Sequence, residues 1–279
     1  MNFTQPNASL YIPDSMRIPP ALARTTHLGV GAHQDDLEFM ALHGILACFR
    51  RDDQWFAGIT CTDGAGSSRS GPYSTFTDEE MKAIRVEEQK VAAGIGDYAF
   101  MAQLGHPSRH AKDASLRETL VEDLGQLLAE ARPRVVYTHN PFDKHATHVG
   151  VLLALLEAIR KLPASSQPET LLGCEVWRGL DWLPDNRKVI HDVSSHPNLA
   201  ASLNGVFDSQ IAGGKRYDLA VEGRRLANAT FHESHAVDAA DRVSYAIDLT
   251  PLLSEEGPSL KAFMEEILEA FREDLHWPL

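Results

Sequence analysis

The chain has 279 residues, 43% of them apolar, which is enough to bury a large core and too apolar for disorder. A formal charge of −13 argues against a nucleic-acid partner, because an acidic surface repels phosphate backbones. No stretch reaches the ~18 uninterrupted apolar residues of a membrane helix, so no membrane partner is expected either.

The first sixteen residues, MNFTQPNASLYIPDSM, show neither a basic nor an apolar leader region. Residues 1–25 are rich in Pro and Ser, and RIPPALAR reads as an extended arm. After it, strand-like and helix-like segments alternate. Residues 28–32 form a short apolar run that predicts a strand and stops at His33 in AHQDD. Residues 36–50 predict a helix, with Leu37, Met40, Ala41, Ile45 and Phe49 toward one side. Residues 55–61 predict the next strand, which ends in TDGAGSSRSGPYS, a loop longer than most strand-to-helix connections.

Residues 78–94 predict a helix, and YAFMAQLG a strand ending at Gly105 before the loop HPSRHAKD. Ser115 reads as the start of a helix with a capping box closed by Glu118, and with a stripe of Leu116, Leu120, Leu124, Leu127 and Leu128. RVVYT predicts a short strand, HNPFDKHATH the loop after it, and residues 149–162 an apolar helix. Farther on, LLGCEVWRG reads as a strand and SHPNLAASLNGVFDSQIAGG as a helix stopped by Gly213 and Gly214. Leu260, Phe263, Met264, Ile267, Leu268 and Phe271 follow helical spacing. The three cysteines, Cys48, Cys61 and Cys174, lack metal-type spacing; Cys48 and Cys61 are expected in the core, and a reducing cytoplasm is the expected location.

This alternation predicts an α/β fold, a Rossmann-like, mostly parallel sheet with helices on both faces and a site at the C-terminal ends of the strands. One domain is expected over 1–279, with an arm (1–25), a core (26–162) and a C-terminal extension (163–279). The loops after the four candidate strands then collect His33, Asp35 and Asp36; Asp63, Ser67 and Arg69; His106, Arg109 and His110; and Asp143, His145 and His148.

At a strand end entering a helix, residues three apart can reach a common point while adjacent ones diverge. His33 and Asp36 can thus share a metal while Asp35 points elsewhere, although an aspartate there equally suits a helix cap. Adding His148 from the H-x-x-H of residues 145–148 gives two imidazoles and a carboxylate. That set leaves a coordination position open, the pattern of catalytic zinc, and Fe2+ or Mn2+ also suits it.

AHQDD, R-x-x-E at Arg85 and Glu88, and H-x-x-H at His145 and His148 resemble the LmbE-like, or PIG-L, family of zinc-dependent N-deacetylases. The resemblance spans roughly residues 26–160, with a weaker echo in VFDSQ at 206–210. Gln34 replaces the family's usual proline, His43 and Gly44 replace a glycine pair, and Thr147 replaces an aspartate. The resemblance implies one Zn2+ held by His33, Asp36 and His148, Asp35 as general base, His145 facing the developing oxyanion, and Arg85 near the substrate.

Asp143 could hold the second ring nitrogen of His145 and raise its pKa, or be an exposed loop carboxylate. Ser67, Arg69, Arg85 and Arg109 are the candidate substrate-binding residues, and Arg69 offers a fork for a polar or anionic group. Trp177 and Arg178 could supply a stacking platform for a sugar, or Trp177 could simply be buried. FHESH is one residue short of the H-E-x-x-H zinc motif.

The expected function is zinc-dependent hydrolysis of an N-acetyl amide on a small polar substrate, with an N-acetylglucosamine-type sugar favoured by the resemblance. A thiol conjugate or N-acyl amino acid is the alternative substrate. A metal- or sugar-binding module without turnover is the alternative from another class; Gln34 and Thr147 permit it, and Asp35 argues against it. Assembly into a homo-oligomer stays open.

Overall fold

A computed structural model describes residues 1–254 and 256–275. Its strands are β1 (Ser9–Tyr11), β2 (His27–Gly31), β3 (Phe56–Thr62), β4 (Met101–His106), β5 (Val135–His139), β6 (Thr170–Cys174), β7 (Val189–Asp192) and β8 (Val243–Asp248). They form one sheet in the order β1-β4-β3-β2-β5-β6-β8-β7. The run from β4 to β6 is parallel, and β1, β8 and β7 pair antiparallel. The chain leaves β2 toward β3 on one side and reaches β5 on the other, so the strand order reverses at the C-terminal ends of β2 and β5, where α/β sheets bind ligands.

β2 and β3 are buried along their whole length, as central parallel strands must be. Their side chains alternate between two cores. Leu28, Val30, Ala57 and Ile59 pack with Leu124, Leu127, Leu152 and Leu155 on one face. Phe56, Met101 and Tyr137 pack with Leu37, Ile45 and Leu203 on the other. Cys48, Cys61 and Cys174 are all buried and free. Among the described residues no helix is long and apolar enough to cross a membrane.

Several expected elements differ in the structure. RIPPALAR is no extended arm: Ile18–Ala23 is a helix whose prolines occupy the first turn, where a missing N–H breaks no bond. The arm is tied in further by β1 and by Thr4, whose N–H and hydroxyl donate to the buried Asp123 at 2.9 and 2.7 Å. The expected helix over 36–50 breaks at Ala41 into Asp36–Met40 and Leu42–Cys48. There the buried Arg225 donates to the carbonyls of Glu38 and Phe39 at 2.8 and 3.0 Å, taking acceptors that a continuing helix would use.

Ser115 does not cap a helix, because Asp113 accepts its N–H and hydroxyl at 2.9 and 2.8 Å; the helix begins later, as Glu118–Ala131. The capping box stands instead at Thr77 and Glu80, ahead of Asp78–Ile95. His148 lies in the first turn of a helix, Ala146–Arg160, rather than in the preceding loop. β6 stops at Cys174, short of the strand expected to run through 179. The expected helix ending at Gly213 is two, Pro197–Gly205 and Asp208–Ile211. The second opens where Glu88 accepts the N–H and hydroxyl of Ser209 at 2.7 and 2.6 Å. The final helix, Leu260–Asp274, follows its sequence pattern, and residues 276–279 of the expected extension lie outside the described residues.

Two helical glycines make opposite predictions. A Cβ on Gly44 would meet the Tyr137 ring at 2.5 Å, whereas one on Gly125 would meet nothing within 4 Å. Gly44→Ala is expected to destabilise the fold by about 1–2 kcal/mol in urea unfolding, overpacking outweighing propensity. Gly125→Ala should stabilise it by about 0.5–1 kcal/mol.

Candidate metal centre and its pocket

Three donors from two distant pieces of chain converge at the ends of β2 and β5. His33 Nδ1 stands 3.3 Å from Asp36 Oδ2 and 3.2 Å from His148 Nε2, and His148 Nε2 is 3.5 Å from Asp36 Oδ1. Ligands 2.0–2.2 Å from a tetrahedral ion stand roughly 3.3–3.6 Å apart, close to each of these pairwise distances, although Asp36 meets the two rings through different oxygens; among the described residues, the sets whose ligand atoms all converge within 4.8 Å are His33, His145 and His148, and Asp36, His139 and His148. The donor set itself, two imidazoles and a carboxylate, suits zinc.

Local structure sets this spacing. A Cβ on Gly31 would sit 3.0 Å from the Cβ of Asp36; without one, the turn after β2 folds back over the strand end. Asp36 is nearly sealed from water, and its Oδ2 accepts the His33 N–H at 2.7 Å. Burial alone would raise its carboxyl, but His148, His139 and His33 hold it well below the usual carboxylate range. Burial lowers His33 to about 4. His148 is also buried, yet Asp36 and Asp143 raise its pKa.

Asp143 is neither on the ring of His145 nor an exposed loop carboxylate, the two alternatives open from the sequence. Its Oδ2 lies 3.2 Å from His148 Nδ1, and its Oδ1 accepts only the backbone N–H of His145, at 2.9 Å. An ionised carboxylate can only accept, so His148 carries its proton on Nδ1 and turns the Nε2 lone pair toward His33 and Asp36. His145 Nδ1 is buried with no partner, and burial lowers the pKa of this ring, while Asp36 and Asp143 oppose the shift.

His139 was not singled out from sequence. It closes β5, stacks on His148 at 3.9 Å between ring centroids, and lies 3.4 Å from Asp36 Oδ2. Its Nε2 accepts the Ala32 N–H at 2.9 Å, so that lone pair is spent and His33 is the better third ligand. The only signal for it in the sequence was a histidine at the end of a strand.

Asp35 sits beside the three donors in a strained backbone conformation, at φ 97°. Its N–H donates to Gln89 at 3.1 Å, and Arg85 grips the preceding Gln34 carbonyl at 2.7 Å. Burial pushes the Asp35 carboxyl well above the ordinary range, and the Arg85 guanidinium, 3.6 Å away, opposes the shift. Arg85 also donates to Gly64 O and Ser67 Oγ at 3.0 and 2.6 Å, so it organises the Gly/Ser loop instead of pairing with Glu88.

These groups form one wall of a pocket of about 580 Å³. His33, Asp35, Asp36, His145, Arg85 and Ser67 line it. Arg69 does not; it braces the loop through Phe76 O, Ala65 O and Asp78. Arg109 is exposed outside the lining, and His106 is wholly buried against Asp123 at 2.8 Å, so that loop contributes Ser108 and Lys112 instead. The second half of the chain supplies Trp177, Gln210, Lys215, Tyr217 and Arg224, of which the sequence pointed to Trp177 and, within VFDSQ, Gln210; Arg178 does not line the pocket. The echo at 206–210 is explained by Gln210, which donates to Ser67 Oγ at 3.2 Å.

Asp143→Asn is expected to weaken metal affinity about 10–100-fold by releasing the His148 tautomer, measured by competition with a chromophoric chelator. Arg69→Gln should leave that affinity unchanged.

Residues 28–159 match the family described as PIG-L: GlcNAc-PI de-N-acetylase. No curated protein matches the chain. Solved structures that share its fold include the following three. The conserved protein TT1542 from Thermus thermophilus is 18% identical, with 84% of this chain and 99% of that one covered at a TM-score of 0.62. GalB, the 4-carboxy-2-hydroxymuconate hydratase of Pseudomonas putida, is 18% identical over 83% and 99% at 0.60. The N,N'-diacetylchitobiose deacetylase of Pyrococcus horikoshii is 14% identical over 85% and 88% at 0.63. The matched stretch, residues 28–159, carries all three donors of the metal centre.

Proposed function

We propose that the protein is a metal-dependent N-deacetylase acting on a small polar substrate, an N-acetylglucosamine-type sugar or glycoside. The observation that carries this reading is the Asp35 carboxylate beside three metal-spaced donors on the wall of one pocket. The family description and the fold shared with a chitobiose deacetylase support it. With it go zinc as the ion and a cytoplasmic location, the latter supported by three free cysteines.

An amide is a poor electrophile with a poor leaving group. A cation held by His33, Asp36 and His148 would supply Lewis acidity, making water more acidic and the carbonyl more electrophilic. Asp35 takes the proton of the attacking water and returns it to the departing nitrogen, which must leave as an amine. Its strained backbone, held by Gln89 and Arg85, fixes the carboxylate for both transfers. His145, half-buried, offers an N–H to the developing oxyanion, a contact typically worth ~3 kcal/mol per donor. Trp177 and Tyr217 give a sugar ring an aromatic wall.

Water addition to a carbon–carbon double bond is a second reading, supported by the fold shared with GalB. Amine release separates the two. The holoenzyme is expected to release amine from N-acetylglucosamine or its glycosides and to stop when a chelator is added. Asp35→Asn should lower kcat by about 10²–10⁴-fold with the metal retained. Unchanged turnover in that variant would remove Asp35 as the base. Release only from N-acyl amino acids or thiol conjugates would keep the chemistry and change the substrate.

A further inference from the structure

Behind Asp35 lie three buried side chains that do not line the pocket: Glu38, Gln89 and Tyr98. They form one run of hydrogen bonds. The Tyr98 hydroxyl donates to Glu38 Oε1 at 2.7 Å, and Gln89 Nε2 donates to the same oxygen at 2.8 Å. Gln89 Oε1 in turn accepts the N–H of Asp35 at 3.1 Å.

That N–H belongs to the peptide unit joining Gln34 to Asp35. The other end of the unit, the Gln34 carbonyl, accepts from Arg85 Nη2 at 2.7 Å. Arg85 and Gln89 stand one helical turn apart on Asp78–Ile95, so one helix face grips both ends of a single peptide plane. The grip matters because Asp35 has φ 97°, which a residue with a side chain adopts only under constraint. Rotation of this plane changes that angle and with it the direction of the Asp35 carboxylate.

A glutamine amide has an accepting end and a donating end. A backbone N–H can only donate, so Gln89 must present Oε1 to Asp35, and Nε2 then needs an acceptor. Glu38 Oε1 is that acceptor. With the amide reversed, Nε2 would face an N–H and Oε1 a carboxyl oxygen, and neither contact is a hydrogen bond. Glu38 Oε1 accepts whether or not the other oxygen carries a proton, so the arrangement does not depend on the charge of this residue.

We infer that Glu38 is a positioning residue for Asp35: it fixes the Gln89 amide, which locks the Gln34–Asp35 peptide and holds the Asp35 carboxylate in place for proton transfer. The short helix Asp36–Met40 then has two tasks, with Asp36 turned to the metal centre and Glu38 to Gln89. Tyr98 shares the acceptor but lies off this path, so its hydroxyl serves stability alone. The part in proton transfer rests on the deacetylase reading above, whereas the lock is a property of the folded chain.

The test makes two measurements on the variants E38M, E38Q, Q89M and Y98F. The first is hydrogen exchange of the Asp35 amide without substrate, followed by NMR. E38M and Q89M should exchange there about tenfold faster than wild type, while E38Q, which keeps an accepting oxygen, and Y98F keep the wild-type rate. The second is amine release by the holoenzyme from the methyl glycoside of N-acetylglucosamine. E38M and Q89M should lower kcat by about 10–100-fold, with KM within about twofold and the metal retained. E38Q should bring kcat back to within about threefold of wild type, and Y98F should lower Tm without lowering kcat.

A network that serves stability alone lowers Tm in every variant and leaves Asp35 exchange and kcat unchanged, and that result overturns the inference. Should E38M fail to fold, the Gln89 side-chain NH2 of the wild type decides: exchange as fast as that of an exposed amide means no bond to Glu38 and overturns it too. The expected exchange pattern in a protein that releases no amine leaves the lock standing and counts against the deacetylase reading.

Discussion

Asp36 is a carboxylate almost closed off from water and surrounded by imidazoles. A buried charge must be paired or it costs several kcal/mol. Two of the surrounding rings, His33 and His139, resist protonation because burial lowers both to about 4. His148 alone is raised, through Asp36 and Asp143. A divalent cation answers this imbalance directly, and the remaining features of the site either place a donor for it or keep a lone pair aimed at it.

The fold does this with few residues. The reversal of strand order brings the end of β2 beside the end of β5, so donors 115 residues apart in sequence meet at 3.2 Å. Gly31 lets the turn close over the strand, and Arg225, reaching in from the second half of the chain, ends the short helix that carries Asp36. Asp143 links the metal centre to the pocket wall: besides His148 and His145 it accepts the Trp177 N–H, at 3.1 Å. A change at one end of this network should therefore be felt at the other.

Much of this was legible in the sequence because it is local. The central strands are apolar runs, and strand-to-helix alternation implies a parallel sheet with its site at the strand ends. AHQDD and H-x-x-H could be paired because both fall on such ends. What escaped depends on long-range partners. His139 looks like any strand-end residue until Ala32, 107 positions away, donates to it. The break at Ala41 and the split near Phe207 come from Arg225 and Glu88, neither of which carries a periodic signal. Ser115 and Thr77 both match the capping-box pattern, and only the nearby Asp113 decides between them. Lys215 and Tyr217 follow irregular chain, where spacing says nothing about which residues face a pocket.

The most direct test is X-ray absorption spectroscopy at the metal edge of protein purified without added zinc. The account predicts one ion per chain with two imidazole nitrogens and one carboxylate oxygen at about 2.0–2.2 Å, and with solvent completing the shell. An ion-free protein, or a shell that keeps both imidazoles after His33→Ala, would contradict it.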